Sequence, residues 1–194
     1  MRQAAVKRET AETKISVSVN LDGIGKSTLN TQMGFFEHML TLLARHSFCD
    51  LDICIQGDTQ VDEHHSIEDC GIVLGTAIAE ALGDKRGINR YGTFYIPMDE
   101  ALVRCSLDLS GRGFLVYRAP EMVPLNSFDY QLAEEFFRAL AVNAGITLHI
   151  EVLYGKNTHH MLEAMFKAFA RALRIAVEKD LRAENMIPSS KGIL

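Results

Sequence analysis

The chain has little cysteine, and its cysteines follow no pattern. Cys49, Cys54, Cys70 and Cys105 are the four that occur, and no two of them form a Cys-x-x-Cys pair. A structural zinc site would normally recruit such thiolates, so this arrangement argues against one. Because the N-terminal residues also lack the apolar core of a signal peptide, we predict a protein of the reducing cytoplasm.

The chain also lacks an excess of positive charge and a long apolar run. Its net charge is −5 and its isoelectric point is near 5.8. Nucleic acids and anionic membrane surfaces call for a basic footprint, so we predict neither as a partner. No segment approaches the length of a membrane span. An anionic ligand must therefore meet a local cluster of cations.

No linker rich in proline, glycine or serine divides the 194 residues. The composition, 47% hydrophobic and 23% charged, is ordinary for a globular protein that buries a sizeable core. We predict a single compact domain over 1–194, built from two repeats at about 1–92 and 93–194.

A histidine pair followed by a glutamate occurs twice, as His64, His65 and Glu68 and as His159, His160 and Glu163. On a helix successive residues turn by about 100°, so adjacent imidazoles diverge and each pair should serve two metal ions. The glutamate lies four residues after the first histidine and three after the second, so it can bind the same ion as either of them. Surface or capping histidines are the alternative, but the repetition favours metal. Imidazole and carboxylate ligands suit Mn, Fe, Zn, Ni or Co.

Two further histidines, His38 and His149, are candidates for the same sites. Taken alone, His38 on an apolar helix is typical of a core histidine, and His149 of an alternating strand. With them, six histidines and two glutamates make two sets of four ligands. His46 is assigned to the end of a helix and its dipole.

The repeat extends beyond the histidines and predicts the fold. Val17 begins an alternating strand that Val103 repeats, and Phe35-Phe36 recurs as Phe136-Phe137. Helices are predicted at 34–46, 62–82, 128–144 and 157–177, with Gly83 and Gly145 as stops, and strands at 51–55 and 148–153. We predict an α+β fold of two strand-helix-strand-helix halves, with the helices sandwiched between two four-stranded sheets.

Three loop segments, 87–90, 110–113 and 188–192, each combine a cation with turn residues. Arginine forks, a lysine, hydroxyls and free backbone amides are the groups that bind phosphate. Each segment alone is typical of solvated charge. Together with a dinuclear metal site they predict a small phosphorylated substrate.

Six motifs in order resemble the imidazoleglycerol-phosphate dehydratases of histidine biosynthesis over nearly the whole chain. They occupy 34–40, 62–69, 87–92, 107–112, 157–164 and 188–192. Glu37 departs from the aspartate expected before the helical histidine, at a position that is not a ligand in the family.

The resemblance implies dehydration of imidazole glycerol phosphate to imidazole acetol phosphate with two Mn²⁺ ions per active site. It implies a homo-oligomer, a 24-mer built from trimers that share active sites. The implied metal ligands are His38, His64, His65, Glu68, His149, His159, His160 and Glu163. The implied substrate contacts are Glu12, Arg90, Arg112, Lys167, Ser189 and Lys191. For the catalytic base, the candidates are Glu163 and Glu12, and we prefer Glu163 for its proximity to metal.

Two other functions use the same residues. A dinuclear metallohydrolase would activate water on a phosphate ester and release phosphate. A metal-storing or metal-stabilised assembly protein would bind ions without turnover, and arginine substitutions would leave its ligand binding unchanged.

Overall fold

The structure, a computed structural model, describes residues 1–125 and 128–194, and these form two halves with the same order of elements. The first half contains β1 (Gln3–Glu9), β2 (Thr13–Asn20), β3 (Ser27–Asn30), α1 (Gly34–Ser47), β4 (Asp50–Gly57) and α2 (His64–Leu82). The second contains β5 (Tyr91–Met98), β6 (Ala101–Asp108), β7 (Phe114–Arg118), α3 (Gln131–Ala144), β8 (Thr147–Tyr154) and α4 (Thr158–Val177). The predicted internal duplication is confirmed.

Each half builds one mixed four-stranded sheet. The strand orders are β1-β2-β4-β3 and β5-β6-β8-β7. The outer hairpin pairs antiparallel with the strand after the first helix, and the short third strand pairs parallel to it. Because parallel neighbours need a crossover, α1 and α3 bridge β3 to β4 and β7 to β8. The predicted α+β fold, with two four-stranded sheets around the helices, is confirmed.

Alternation along the strands creates the apolar face that packs on the helices. In β2, Ile15, Val17 and Val19 are buried and the residues between them are more exposed, so one face of the sheet faces the helices. The helices of the two halves also pack on each other, and the Phe36 and Phe136 rings meet edge to face with centroids 5.3 Å apart. One continuous apolar cluster therefore runs through both halves.

Two glycines allow the layers to approach closely. A Cβ at Gly71 would lie 2.6 Å from the carbonyl oxygen of Phe136, where α2 crosses α3. A Cβ at Gly92 would overlap the carbonyl oxygen of Ala172, where β5 lies on α4. These positions need a hydrogen in place of a side chain, because the neighbouring atoms belong to backbone.

The structure corrects the alignment of the repeats. Helices α1 and α3 have the same length, 14 residues, and their buried positions coincide when Phe36 is matched to Ala133, so Phe35-Phe36 and Phe136-Phe137 are not equivalent. Likewise Val17 corresponds to Cys105 and not to Val103. The pairing predicted from like residues was wrong by about one helical turn and by two strand positions, because similar apolar pairs fill different places in the core.

The predicted ends of the helices are close to the observed ones. Gly83 and Gly145 are the C-caps of α2 and α3, as predicted. Helix α3 begins at Gln131, later than predicted. No helix in the described part of the chain has both the length and the apolarity to cross a bilayer. The four cysteines are free thiols, buried at Cys49, Cys70 and Cys105 and half-buried at Cys54.

Candidate functional site

Each histidine pair lies in the first turn of a long helix, and a polar side chain just before the pair accepts a hydrogen bond from the backbone of that turn. Asn157 is the N-cap of α4, and its side chain accepts a hydrogen bond from the backbone N–H of His160. At α2 the Asp62 side chain accepts from the backbone N–H of His64 at 2.8 Å. Both pairs are thereby placed at the same end of their helices, beside the hairpin that opens each half.

The second pair forms the centre of a cluster with α1. His38 Nε2 lies 2.8 Å from Glu163 Oε1, and His159 Nε2 lies 3.6 Å from the same oxygen. One ligand atom from each of these three residues lies within 4.8 Å of the others. Nitrogen and oxygen donors at this separation fit a divalent cation of the Mn to Zn series. Because His38 comes from the first half and Glu163 from the second, the cluster joins the repeats.

Glu163 is held as a carboxylate by its neighbours. It is 6% exposed, and its Oε2 accepts a hydrogen bond from Lys167 Nζ at 2.5 Å. Burial raises the pKa of Glu163, but the hydrogen bonds from Lys167 and His38 outweigh it and lower the pKa to about 2. Glu163 is therefore a carboxylate near neutral pH.

The first pair is arranged in a related way. His64 Nε2 faces Glu68 Oε2 at 3.8 Å, one turn along the same helix. His65 Nδ1 instead faces the Asp58 carboxylate at 3.1 Å and Glu12 Oε2 at 3.7 Å. The hydrogen bond with Asp58 raises the pKa of His65.

The predicted divergence of adjacent imidazoles is confirmed. The rings of His64 and His65 are inclined at 78°, and those of His159 and His160 at 84°. The first ring of each pair faces its glutamate, and the second faces a loop carboxylate. The two imidazoles of one pair are therefore not arranged to bind the same metal ion.

His149 lies apart from both clusters. Its neighbours Leu148 and Ile150 are buried under the helices, whereas His149 is exposed on the opposite face of the sheet, opposite Ser106 on β6. The alternation of strand side chains dictates this placement. The structure does not bring His149 to the other predicted ligands of the chain.

The predicted phosphate residues meet at a second location. Arg90 donates from Nε to Asp108 Oδ1 at 2.7 Å and from Nη1 to the carbonyl oxygen of Pro188 at 2.8 Å. This brings the segment with Ser189 and Lys191 next to the strand ends. Arg112 Nη2 lies 3.8 Å from Asp108 and its side chain is 72% exposed, so it remains available to an anion. Arg90 is half-buried in its ion pair and acts first as a scaffold.

The two locations lie at opposite ends of α4. His159 is in the first turn of this helix, whereas the backbone N–H of Arg90 donates to the carbonyl oxygen of Ala176 in its last turn. A helix of 20 residues is about 30 Å long. The cluster of His38, His159 and Glu163 and the predicted phosphate residues of one chain are therefore much farther apart than the ends of a small substrate.

Sequence reasoning gave no site role to three carboxylates, two of which contact the histidines. Asp58 contacts His65, Glu100 contacts His160, and Glu135 occupies in α3 the position that His38 occupies in α1. The signal that finds Glu135 is the correct alignment of the repeats. Nothing in local sequence marks Asp58 or Glu100, since both contacts join a loop to the start of a helix.

Comparison with known proteins identifies one family. The family model described as imidazoleglycerol-phosphate dehydratase matches residues 31–173. The chain is 56% identical to an imidazoleglycerol-phosphate dehydratase of Cereibacter sphaeroides over 100% of both sequences. It is 58% identical to the protein of that name from an Exiguobacterium species, over 99% of this chain and 98% of the relative.

Solved structures show the same fold. The imidazoleglycerol-phosphate dehydratase of Staphylococcus aureus superimposes with a TM-score of 0.83 at 44% identity, over 92% of this chain and 99% of that one. The structure from Pyrococcus furiosus gives a TM-score of 0.84 at 34% identity, over 97% and 100%. The chain therefore belongs to the imidazoleglycerol-phosphate dehydratase family, and it is a hydro-lyase of histidine biosynthesis.

Proposed function

We propose that the chain converts imidazole glycerol phosphate to imidazole acetol phosphate at a dinuclear metal site. The observation that carries the proposal is the convergence of His38, His159 and Glu163 around one small volume. His64 and Glu68 repeat the helical part of this arrangement in the other half. Two related clusters supply ligands for two ions.

The proposed ligands are the cluster of His38, His159 and Glu163, its counterpart His64 and Glu68, and the second histidine of each pair, His65 and His160. We leave out His149, because it lies on the far face of its sheet. The absence of thiolate from the set favours Mn²⁺ or a neighbouring ion over a structural zinc site, and we propose Mn²⁺. Divalent cations at such a site stabilise negative charge that develops on a bound imidazole ring.

The geometry favours Glu12 over Glu163 as the catalytic base, which reverses the preference drawn from sequence. Both oxygens of Glu163 are occupied by His38 and Lys167, and its pKa of about 2 makes it a weak proton acceptor. The Glu12 side chain is 55% exposed and lies beside His65 without a closer partner among the described contacts. Glu12 can therefore reach a carbon-bound proton of a substrate, while Glu163 and Lys167 hold the site.

The phosphate is proposed to bind at Arg112, Ser189 and Lys191. Arg112 offers an exposed guanidinium, and the backbone N–H of Lys191 donates to Ser189 Oγ, which fixes that turn. Arg90 contributes by tying the segment to Asp108 and Pro188. Anchoring the phosphate places the reacting carbon next to the base, so the binding energy of the phosphate serves to orient the substrate.

We propose active sites shared between subunits, and the length of α4 supports this arrangement. An extended imidazole glycerol phosphate spans roughly 10 Å, judged from its bonds of about 1.5 Å. It cannot join the two ends of a helix about 30 Å long. One chain then supplies the metal cluster and another the phosphate residues, as expected of a symmetric homo-oligomer. This supports an assembly such as the 24-mer of trimers.

The test is incubation of the purified Mn²⁺-loaded protein with imidazole glycerol phosphate, followed by mass spectrometry. Loss of water with the phosphate retained is expected. Release of inorganic phosphate instead would identify a dinuclear hydrolase. Binding of the ions with no turnover would leave only the metal-storing function.

A further inference from the structure

The second histidine of each pair is held by a loop carboxylate through Nδ1. His160 Nδ1 lies 2.7 Å from Glu100 Oε2, in the hairpin between β5 and β6. His65 Nδ1 lies 3.1 Å from Asp58 Oδ2, in the loop after β4. A carboxylate only accepts, so each Nδ1 must carry the proton of this bond. The lone pair of the neutral ring is then on Nε2.

Nε2 of His160 has no hydrogen-bond partner among the described residues. The nearest carboxylate oxygen, Asp99 Oδ2, is 3.6 Å away, which is beyond hydrogen-bond distance. The Glu100 carboxylate is itself fixed, since its Oε1 accepts from the backbone N–H groups of Lys156 and Asn157 at 3.1 and 2.8 Å. The ring is thus oriented by a group that is anchored to the start of α4.

Glu100 has a counterpart in the first half, and the counterpart is used differently. Glu12 immediately precedes β2 as Glu100 immediately precedes β6, and each points to the second histidine of its half. In the first half, however, Asp58 takes the hydrogen bond to His65, and Glu12 remains 3.7 Å away. The same hairpin position therefore carries a glutamate that is hydrogen-bonded to its histidine in one half and a glutamate at ion-pair distance only in the other.

We propose that Glu100 and Asp58 are positioning residues that hold His160 and His65 with Nε2 directed to metal, and that Asp58 thereby releases Glu12 for the substrate. The inference rests on the proposed metal site. Carboxylates that accept from the outer nitrogen of a ligating histidine fix its tautomer and increase its basicity, and their loss typically lowers metal affinity about 10- to 100-fold. The equivalent hairpin glutamates of the two halves then have different roles. Glu100 orients a metal ligand, and Glu12 acts on the substrate.

Glu100→Gln tests the proposal with little change in shape. The amide oxygen can still accept from Lys156 and Asn157, but the NH₂ group faces His160 and donates to Nδ1. The proton of the neutral His160 ring is then on Nε2, so Nε2 no longer has a lone pair to bind a metal ion. Affinity for Mn²⁺, measured by competition with a fluorescent chelator, is expected to fall about 10- to 100-fold. The melting temperature of the metal-free protein is expected to stay near the wild-type value.

The matched variants are Glu12→Gln, at the equivalent hairpin position, and Glu80→Gln, an exposed change of charge at the far end of α2. Both are expected to keep wild-type Mn²⁺ affinity, and Glu12→Gln is expected to lose turnover. Asp58→Asn should weaken binding as Glu100→Gln does, and it serves if Glu100→Gln does not fold. Solid-state ¹⁵N NMR of the histidine-labelled, metal-free protein should show His160 protonated at Nδ1 in the wild type and at Nε2 in Glu100→Gln.

The outcomes separate this inference from the proposed function. Wild-type affinity in both Glu100→Gln and Asp58→Asn would overturn the positioning role and leave the dinuclear site standing. A loss of Mn²⁺ affinity in Glu12→Gln as large as that in Glu100→Gln would overturn the claim that the two hairpin glutamates have different roles. A wild-type protein that binds no Mn²⁺ would overturn the proposed metal site, and the inference with it.

Discussion

Two inactive variants should restore each other's activity if active sites are shared between chains. His159→Ala removes a proposed metal ligand at the first turn of α4, and Arg112→Glu reverses the charge at the proposed phosphate residues near its last turn. Each variant alone is expected to show negligible turnover. In a co-assembled particle, a site that takes its metal cluster from an Arg112→Glu chain and its phosphate residues from a His159→Ala chain is intact.

The expected activity of the mixture follows from the fraction of intact sites. In an equal, random mixture each of the two required contributions comes from the competent variant half of the time, so about a quarter of the sites are intact in a symmetric assembly. Activity per site should therefore recover to about 25% of the wild-type value, because α4 at about 30 Å prevents one chain from supplying both ends. The assay is water loss from imidazole glycerol phosphate after co-expression with two affinity tags and sequential purification.

A second mixture provides the control. His159→Ala and Glu163→Gln affect one cluster, in which both side chains meet within a single chain. Their mixture should gain nothing, since no chain in it carries an intact cluster. Absence of recovery in the first mixture, with both tags present in the purified particle, would refute the argument from helix length and place the whole active site within one chain.

Three further outcomes are expected. Arg112→Ala should raise KM about 10- to 100-fold with kcat nearly kept, as the loss of a charge-assisted contact of about 1.5–3 kcal/mol predicts; steady-state kinetics with an unchanged KM would remove Arg112 from the phosphate site. In the metal-free protein, Glu163→Gln should lower the free energy of unfolding by about 2 kcal/mol at pH 7, because Lys167 loses its partner. The pKa of Glu163 in the folded protein, about 2, is below its ordinary value of 4.5. The higher free energy of unfolding of the wild type is therefore complete above pH 4.5 and is lost as the pH falls toward 2. Urea titrations that show equal stability of the two proteins at pH 7 would contradict this prediction. Gly92→Ala should destabilise the fold by about 3 kcal/mol because its Cβ overlaps the backbone of Ala172, whereas Gly34→Ala, with open space around it, should not; similar melting temperatures for the two would argue against the β5–α4 contact.

The periodic parts of the fold could be predicted from sequence, and the relations between distant parts could not. Helices α2 and α4 followed from apolar spacing, and the end of α2 followed from Gly83. The short strands β3 and β7 were not located, because four or five residues give too little alternation. Aligning the halves by Phe35-Phe36 failed because burial, and not residue identity, defines equivalent positions.

The same distinction holds at the site. The histidine pairs and their glutamates could be recognised because the candidate ligands are one turn apart on a helix. The hydrogen bonds of Asp58, Glu100 and Asp108 join segments that only the folded chain brings together. For the same reason the exposed face of His149 emerged only with its strand register.

The distribution of the free thiols makes the chain suited to labelling at one position. Burial raises the pKa of Cys49 to about 11, and it also raises the pKa values of Cys70 and Cys105. Since only a thiolate reacts with maleimides or iodoacetamides, these three stay inert in the native protein. Cys54 lies half-buried in β4. A fluorophore attached there would report subunit association by energy transfer without any engineered cysteine.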